Sequence, residues 1–300
     1  MTSESSGAGP SRAANVPLEG SEHTSVPSLG AQSIGARSFG LIVVGDEILS
    51  GKRLDKHMPK VIELLAARGL QLDWAEYVGD TPERITAVLR RAFASGDVVF
   101  STGGIGATPD DHTRQCAAAA LGRPLALHPE AEALIRERMR DTAVEQGITY
   151  EPDRPDNVHR LNMGVFPEGA TIIRNPYNKI PGFSVADVHF VPGFPVMAWP
   201  MIESVLDERY ADLFALGRSA EKSVIVYGAM EATLTPLMEA VERTHPGVKV
   251  FSLPSVDHPE HGRHIELGVK GNPAGLAAAY QQLIEGLHSF EARLGPEMVR

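Results

Sequence analysis

"DVVFSTGGIGATPDDHT", Asp97 to Thr113, places a short apolar run directly before a loop with three glycines and two adjacent aspartates. The β-branched and aromatic residues at its start predict a strand that is buried on both faces. Glycines before a helix let backbone N–H groups approach an anion, and the helix N-terminus adds partial positive charge. The loop therefore predicts a phosphate ligand, although Asp110 and Asp111 would repel a bare one.

Strands and helices alternate on both sides of this loop. "FGLIVVG", Phe39 to Gly45, and the stretch from Leu70 to Asp80 predict strands. Thr81 to Gly96 predicts a helix with Pro82 in its first turn. The order β-α-β-α-β-α-α predicts an α/β fold with a mostly parallel sheet covered on both faces. Further predicted elements are helices over 59–69, over Thr108–Gly122 with Thr108 as N-cap, and from about Pro129 to Gln146, and strands at "TIIRNP" and "VHFVPG".

The chain divides into three predicted segments. Residues 1–36 are rich in Ser, Gly, Ala and Pro and predict a disordered tail without a secretory signal. Residues 37–217 form the main α/β domain. Residues 218–300 predict a small β-α-β-β-α module whose last helix runs from Pro273 to Leu294. Because so short a segment buries little core by itself, we expect it to pack on the larger domain or on a second subunit.

Composition excludes several classes of function. The chain carries 28 Lys and Arg against 38 Asp and Glu, a formal charge of −10, which disfavours nucleic-acid binding. We expect its single cysteine, Cys116, to be a small buried core residue. One cysteine cannot form an intramolecular disulfide. A reducing, cytoplasmic location fits this cysteine usage, and no apolar run is long enough to span a membrane.

Carboxylates follow two of the predicted strands. Asp46 and Glu47 come after the first strand, and Asp110 and Asp111 after the third. Carboxyl ends of parallel strands share one edge of a sheet, where ligands of open α/β sheets bind. A hard cation such as Mg²⁺ would let carboxylates and a phosphate share this edge. A simpler interpretation stays open, in which Asp110 and Asp111 occupy the first helical turn and only stabilise the helix dipole.

The loop matches neither of the two best-known phosphate motifs. A P-loop needs Lys and Ser or Thr after its last glycine, whereas Ala107 and Thr108 follow Gly106. The dinucleotide fingerprint needs a third glycine where Pro109 stands. The sequence from Ser101 to Thr113 is thus a distinct motif.

Together the motifs resemble a known family. "VGDEILSGK", "VGDTPERI", "STGGIGATPDDHT", "GRPL", "FPEGATIIRNP", "PGF" and "VPGFP" occur in the order seen in the molybdopterin-binding MoaB/Mog domain. The pattern is most similar to the N-terminal region of competence/damage-inducible protein A (CinA). It runs from about Phe39 to Pro200, with a weaker match through the C-terminal module. The resemblance implies a three-layer α/β/α domain with its site at the glycine loop.

The resemblance also implies a ligand and roles for named residues. In related domains the ligand is molybdopterin or its adenylylated form, and Mg²⁺ assists nucleotidyl transfer. Some CinA-type domains hydrolyse nucleotide pyrophosphates such as ADP-ribose. Here Asp111 and Asp46 are the expected catalytic residues, and Asp46, Asp110 and Asp111 the expected ligands of Mg²⁺ or another divalent cation. The expected ligand-binding residues are Gly45, Glu47, Thr102, Gly103, Gly104, Gly106, Thr108, Pro192 and Gly193.

Three departures from the family pattern leave the reaction open. Ala107 replaces the usual proline, Val196 and Met197 follow Pro195 where many members have a glutamate, and "NKIPGF" replaces Gly-Thr-Ala-Pro-Gly-Phe. We also expect the deamidase-type domain of full-length competence proteins to be missing. Two hypotheses follow: an enzyme acting on a pterin or nucleotide phosphate with a divalent cation, or a module that binds or carries such a ligand. Either would take a small-molecule partner, and we expect a homo-oligomer.

Weaker patterns predict no separate site. His258, His261 and His264 stand with acidic residues in "VDHPEHGRH", a composition that can bind zinc, but the stretch predicts a solvated loop between two strands. Ser101, Thr102 and Thr108 lack a histidine with an aspartate partner to activate them. Lys52 and Arg53 either face a phosphate or cover a surface. No GxxG clamp links the predicted helices of the module, which argues against an RNA-binding KH domain.

Overall fold

The computed structural model describes residues 37–214, 220–290 and 292–299, so the tail predicted over 1–36 lies outside the described residues. Strands and helices alternate in the first of these ranges, as the sequence predicts. They are β1 (Phe39–Val44), α1 (Asp46–Leu49), α2 (His57–Ala66), β2 (Trp74–Val78), α3 (Pro82–Ser95), β3 (Val98–Thr102), α4 (Thr113–Leu121), β4 (Leu125–Leu127), α5 (Pro129–Glu145), α6 (Pro155–Arg160), β5 (Val165–Pro167), β6 (Thr171–Ile173), β7 (Gly182–Val185), β8 (Val188–Val191) and α7 (Pro195–Arg209).

The central sheet has six strands in the order β2-β1-β3-β8-β7-β6. β2, β1, β3 and β8 are parallel, while β7 runs antiparallel to both of its neighbours. The mostly parallel sheet is therefore confirmed. Because the four parallel strands are adjacent, their carboxyl ends meet at one edge, and the loops that follow them face one another there.

Helices cover both faces of this sheet. Successive side chains of a strand point to opposite faces, so Ile42 of β1 packs in the core with α3, while Leu41 packs in the core with α2 and α7. Both side chains have no exposed surface. The arrangement is the three-layer α/β/α fold expected from the sequence.

Helix α3 shows why the sequence specifies its elements well. Thr81 precedes it in an extended conformation, Pro82 opens it, and Gly96 closes it with a φ of 77°, in the left-handed region that favours glycine. Ile85, Val88, Leu89 and Ala92 lie at i, i+3, i+4 and i+7, and all four are buried. Helix α7, in contrast, was not predicted. Pro195 and Pro200, in its first two turns, obscure the helical spacing of its apolar residues.

The C-terminal module is a four-stranded antiparallel sheet in the order β10-β11-β9-β12. Its buried apolar side chains, among them Val224, Leu267 and Leu283, form a core cluster. The prediction of a last helix to Leu294 is wrong: the helix ends at Ser289, and the chain from Arg293 returns as a strand beside β9. Its elements are β9 (Ala220–Tyr227), α8 (Glu231–Thr244), β10 (Val248–His258), β11 (Gly262–Gly271), α9 (Pro273–Ser289) and β12 (Arg293–Val299).

Two further expectations can be compared with the structure. Cys116 is buried on α4, as expected. Over the described ranges, no helix combines the length and the apolar character that a membrane-spanning segment requires.

Candidate functional site

A cavity of about 490 Å³ lies where the four parallel strands end. The loops after β1, β2, β3 and β8 all contribute to it. All of the expected ligand-binding residues line this cavity, and so do Asp110 and Asp111. The expected residues are Gly45, Glu47, Thr102, Gly103, Gly104, Gly106, Thr108, Pro192 and Gly193. Asp46, expected as a catalytic and metal-binding residue, is outside this lining.

The glycines of the loop are required by the backbone itself. Gly103 and Gly104 have φ values of 97° and 67°, in the left-handed region that L side chains rarely adopt. A Cβ on Gly103 would lie 2.3 Å from the carbonyl oxygen of Val44. A Cβ on Gly104 would lie 2.2 Å from the hydroxyl of Thr113. Both Cβ atoms would point into the protein, so the fold itself requires glycine at these two positions.

The helix after the loop begins later than predicted. It starts at Thr113, whose N–H donates to the carbonyl of Gly104 at 3.0 Å and whose hydroxyl donates to that of Gly103 at 3.1 Å. These two bonds fix the start of α4. Asp110 and Asp111 therefore precede the helix rather than occupying its first turn, and the prediction of Thr108 as its N-cap is wrong.

Asp111 closes a turn within the loop. One of its carboxylate oxygens accepts hydrogen bonds from the N–H of Thr108, at 2.9 Å, and from the Thr108 hydroxyl. The N–H of Asp111 donates in return to the carbonyl oxygen of Thr108 at 3.0 Å. This carboxylate thus shapes the cavity wall, and its second oxygen is the one available to a cation.

Asp80 is a site residue that the sequence analysis missed. It follows β2 and lines the cavity. Burial raises its pKa above the ordinary range, as do the negative charges of Asp46, Glu47 and Asp110, while the hydrogen bond from the N–H of Asp46 acts in the opposite direction. A signal was present: Val78-Gly79-Asp80 repeats the Val44-Gly45-Asp46 that was used to locate the first strand end.

His57 and Phe194 also line the cavity without having been predicted. The buried His57 ring donates its Nε2–H to the carbonyl oxygen of Gly193 at 3.0 Å, because a carbonyl only accepts. The other nitrogen, Nδ1, is buried without a partner in the part of the chain that the structure describes. Phe194 is 55% exposed, unusually so for a phenylalanine in a cavity wall. No sequence motif predicted either residue, because their place in the cavity wall depends on how α2 and the loop after β8 come together in the fold.

The carboxylates around the cavity are a donor set that suits a hard cation. Glu47, Asp80, Asp110 and Asp111 all line it. Over the described ranges, however, no three Asp, Glu, His or Cys side chains converge closely enough to enclose a metal ion. The oxygen chemistry therefore fits Mg²⁺ held partly by its ligand and by water, as Mg²⁺ usually is.

The histidines of the C-terminal module lie together but are poor metal ligands. The rings of His258, His261 and His264 have centroids 4.9 to 5.6 Å apart at the β10–β11 hairpin. His258 Nδ1 accepts from the N–H groups of Glu260 and His261, and His264 Nδ1 donates to Gly262. The Nδ1 atom of His261 lies 3.1 Å from the Tyr227 hydroxyl. Among the described residues, these side chains do not form a group placed to hold a metal ion. Of the two predicted surface cations, Arg53 lines the cavity and Lys52 is outside its lining.

The fold and the cavity define an open α/β domain of the class whose ligands bind at the carboxyl ends of parallel strands. Comparison with known families agrees with this class. Residues 40–212 match the model of the family described as probable molybdopterin binding domain. The chain belongs to this family, as its sequence motifs predicted, and CinA-like proteins are among the proteins that it is similar to.

Individual relatives have modest identity. A protein of Aeropyrum pernix is 31% identical over 218 residues, 71% of this chain and 78% of that protein. A CinA-like protein of Desulfosudis oleivorans is 29% identical over 215 residues, 70% of this chain but 50% of that protein. The crystal structure of the protein CinA, of unknown function, from Thermoplasma acidophilum aligns with a TM-score of 0.49 at 26% identity, over 57% of this chain and 98% of that one.

Proposed function

We propose that the cavity at the strand ends binds the phosphate or pyrophosphate of a pterin or a nucleotide together with a divalent cation. The observation that supports this most directly is the composition of its wall. The glycine loop lines the same space as Glu47, Asp80, Asp110 and Asp111, and Arg53 is the one arginine in the described lining. A phosphate without a cation would be repelled by this set of carboxylates.

The residues divide into two groups in this proposal. The N–H groups of Gly104, Ile105 and Gly106 would hold the phosphate, since that of Gly103 already donates to the carbonyl oxygen of Val191. Asp110, Asp111, Asp80 and Glu47 hold the cation or its water molecules. Asp46, which was predicted as a metal ligand, lies outside the cavity lining and accepts a hydrogen bond from the N–H of Asp80, so its role in this proposal is to position Asp80. A bound Mg²⁺ would neutralise these charges and polarise a phosphoryl oxygen.

A catalytic form of this function is favoured by one observation. Asp80 is a carboxylate with a raised pKa inside a cleft, and such groups are enriched at reactive sites. In the described residues no serine or threonine of the cavity wall is hydrogen-bonded to a histidine. The reactions that suit the site are therefore metal-assisted nucleotidyl transfer or pyrophosphate hydrolysis, in which these side chains position a water molecule or a second phosphate.

The test is a calorimetric titration with ADP-ribose and with AMP, each in Mg²⁺ and in EDTA. We expect binding to wild type to require Mg²⁺. Asp111→Asn should bind at least tenfold more weakly, a difference of about 1.4 kcal/mol, and its affinity should no longer depend on Mg²⁺. Asn can still accept the N–H of Thr108, so the turn should persist. Asp153→Asn, at an exposed residue outside the cavity lining, is the matched control and should bind as wild type does.

Equal affinity of wild type and Asp111→Asn, with no effect of EDTA, would refute the proposal. Phosphorus NMR of the same mixtures separates binding from turnover, since hydrolysis of ADP-ribose converts its pyrophosphate signals into those of two monophosphates. Native mass spectrometry of the purified protein would reveal a retained pterin or flavin by its mass.

A further inference from the structure

A second cavity, of about 400 Å³, lies on the other side of the loop that carries Asp110 and Asp111. The two cavities share Ala107, Thr108 and Asp111 as a common wall. The remaining walls of the second cavity come from the start of α4 and from the segment around α6, which do not line the first. The second cavity is therefore a separate compartment.

A buried cation forms part of its wall. Arg114 is only 4% exposed. Its guanidinium donates to the carbonyl oxygens of Gly106 and Asn162, and its Nε–H has no partner among the described residues. The guanidinium therefore interacts with neutral carbonyl groups rather than with a hydrogen-bonded carboxylate. A buried charge in such surroundings favours a nearby anion.

The N-terminus of α4 opens into the same cavity. Arg114 and Gln115 stand in its first turn, where the helix itself offers their N–H groups no acceptor. In the described structure no side chain caps this helix. An uncapped N-terminus carries partial positive charge and binds anions through these N–H groups.

Two other polar side chains of the wall, His159 and Asn162, are held by hydrogen bonds. His159 donates its Nε2–H to the carbonyl oxygen of Ala107 at 2.9 Å. Its Nδ1 accepts from the side-chain amide of Asn162 at 3.3 Å. One carboxylate, Asp111, belongs to the described lining, and an oxygen of that carboxylate is already bonded to Thr108. The second cavity thus lacks the group of carboxylates that characterises the first.

We infer that the second cavity is an anion site, which takes a phosphate monoester or a carboxylate on the N-terminus of α4 beside Arg114. This site goes beyond the proposed function, because neither its cation nor its helix N-terminus belongs to the glycine-loop cavity and it needs no divalent metal. Its size suits a small organic anion.

The experiment is a titration of the ¹⁵N-labelled full chain with inorganic phosphate in EDTA, followed through the backbone amides of Arg114 and Gln115 and the Arg114 Nε–H. EDTA removes divalent cations and so prevents binding at the metal-dependent site. We expect saturable shifts of these signals in wild type. A parallel titration with acetate distinguishes the ligands: saturable shifts assign the site to oxyanions in general, and their absence assigns it to phosphates.

Gln115 offers a matched pair of variants, since it is exposed and lies in the first turn of α4. Gln115→Glu places a carboxylate where the helix dipole favours it, so folding should be retained while phosphate affinity falls about tenfold or more. Gln115→Ala removes the amide without adding charge and should bind within twofold of wild type. Equal phosphate affinity in Gln115→Glu and wild type, or no saturable shift in wild type, would overturn the inference.

Failure of this site is distinguishable from failure of the proposed function. The amide of Gly104 reports the glycine-loop cavity and should respond only when Mg²⁺ and a nucleotide are added together. A response at Gly104 without one at Gln115 contradicts the second site alone, and the reverse contradicts the first alone.

Discussion

Asp46 and Asp80 bind each other's backbone across two neighbouring strand ends. The N–H of Asp46 donates to the carboxylate of Asp80 at 2.9 Å, and the N–H of Asp80 donates to the carboxylate of Asp46 at 3.2 Å. Two like charges are thereby held close together, each compensated by one backbone N–H. The loops after β1 and β2 are tied to each other at the cost of electrostatic repulsion.

This pairing predicts that Asp80→Asn stabilises the protein at neutral pH. Because the folded-state pKa of Asp80 is raised, first by burial and then by its acidic neighbours, its ionised form opposes folding. Its favourable contribution is present below the unfolded-state pKa and is lost as pH rises through the folded-state pKa. Urea unfolding should show Asp80→Asn more stable than wild type at pH 7, and the difference should vanish near pH 3. An equal loss of stability at both pH values would contradict this.

Gly104→Ala should destabilise the fold even without a ligand. The left-handed φ alone costs about 1 to 2 kcal/mol for a residue with a Cβ, and the new Cβ would press on the hydroxyl of Thr113. Thr113→Ala removes that hydroxyl and its bond to Gly103, for about 1 to 2 kcal/mol. Urea unfolding of the double variant should show a smaller loss than the sum of the single losses. Strict additivity would mean that the Cβ and the hydroxyl do not interact.

The buried His189 should make stability fall in acid. It contacts the hydroxyls of Ser184, at 2.7 Å, and Tyr210, at 2.6 Å, and burial is the main cause that lowers its pKa from 6.5 to about 3. Between these values the unfolded chain binds a proton that the folded chain does not, so stability declines as pH falls below 6.5, by up to about 1.4 kcal/mol per pH unit.

His189→Gln keeps a hydrogen-bonding side chain but does not titrate, and it isolates this effect. Unfolding free energies from pH 7 to pH 4.5 should fall less steeply in the variant than in wild type. The ten other histidines of the chain's 11 are common to both proteins and cancel in the comparison. Parallel curves would show that His189 takes up a proton as readily in the folded protein as in the unfolded one.

Removal of β12 should destabilise the C-terminal module. In a chain ending at Phe290, β9 keeps its pairing with β11 but becomes an edge strand, and the packing of Leu294 against the module core is lost. It also loses the ion pair between Lys222 and Glu297, at 3.0 Å. We expect a melting temperature several degrees lower. Glu297→Gln is the control: it removes the charge of a surface ion pair worth about 0 to 1 kcal/mol and keeps an acceptor for the Tyr280 hydroxyl, so the melting temperature should change little. Equal melting of wild type and the truncated chain would be evidence against a structural role for β12.

The sequence predicted the parallel sheet and the glycine-loop edge because both depend on local patterns. Apolar runs that end in Val-Gly mark β1 and β2, and caps at both ends mark α3. Thr108 and Pro109 are residues typical of a helix start, and they predict that α4 begins there. It begins instead at Thr113, because hydrogen bonds from Thr113 to Gly103 and Gly104 outweigh this local preference.

Other features could not be read from local patterns. His57 enters the cavity only because its ring bonds to the carbonyl of Gly193, far away in the chain. Strand β12 follows a long helix, and its pairing with β9 decides its conformation rather than its own residues. The resemblance to the molybdopterin-binding family identified the loop, while the partners of each carboxylate became known only from the fold.

The position of β8 in the sheet also bears on when the cavity can exist during synthesis. Gly103 donates its N–H to the carbonyl oxygen of Val191, at 3.1 Å, so the glycine loop rests on a strand made much later by the ribosome. Pro192, Gly193 and Phe194 complete the wall. A nascent chain that has exposed the whole glycine motif still lacks this support. Any ligand that binds in this cavity can therefore stabilise only chains that have emerged beyond Phe194, and it cannot assist the earlier steps of cotranslational folding.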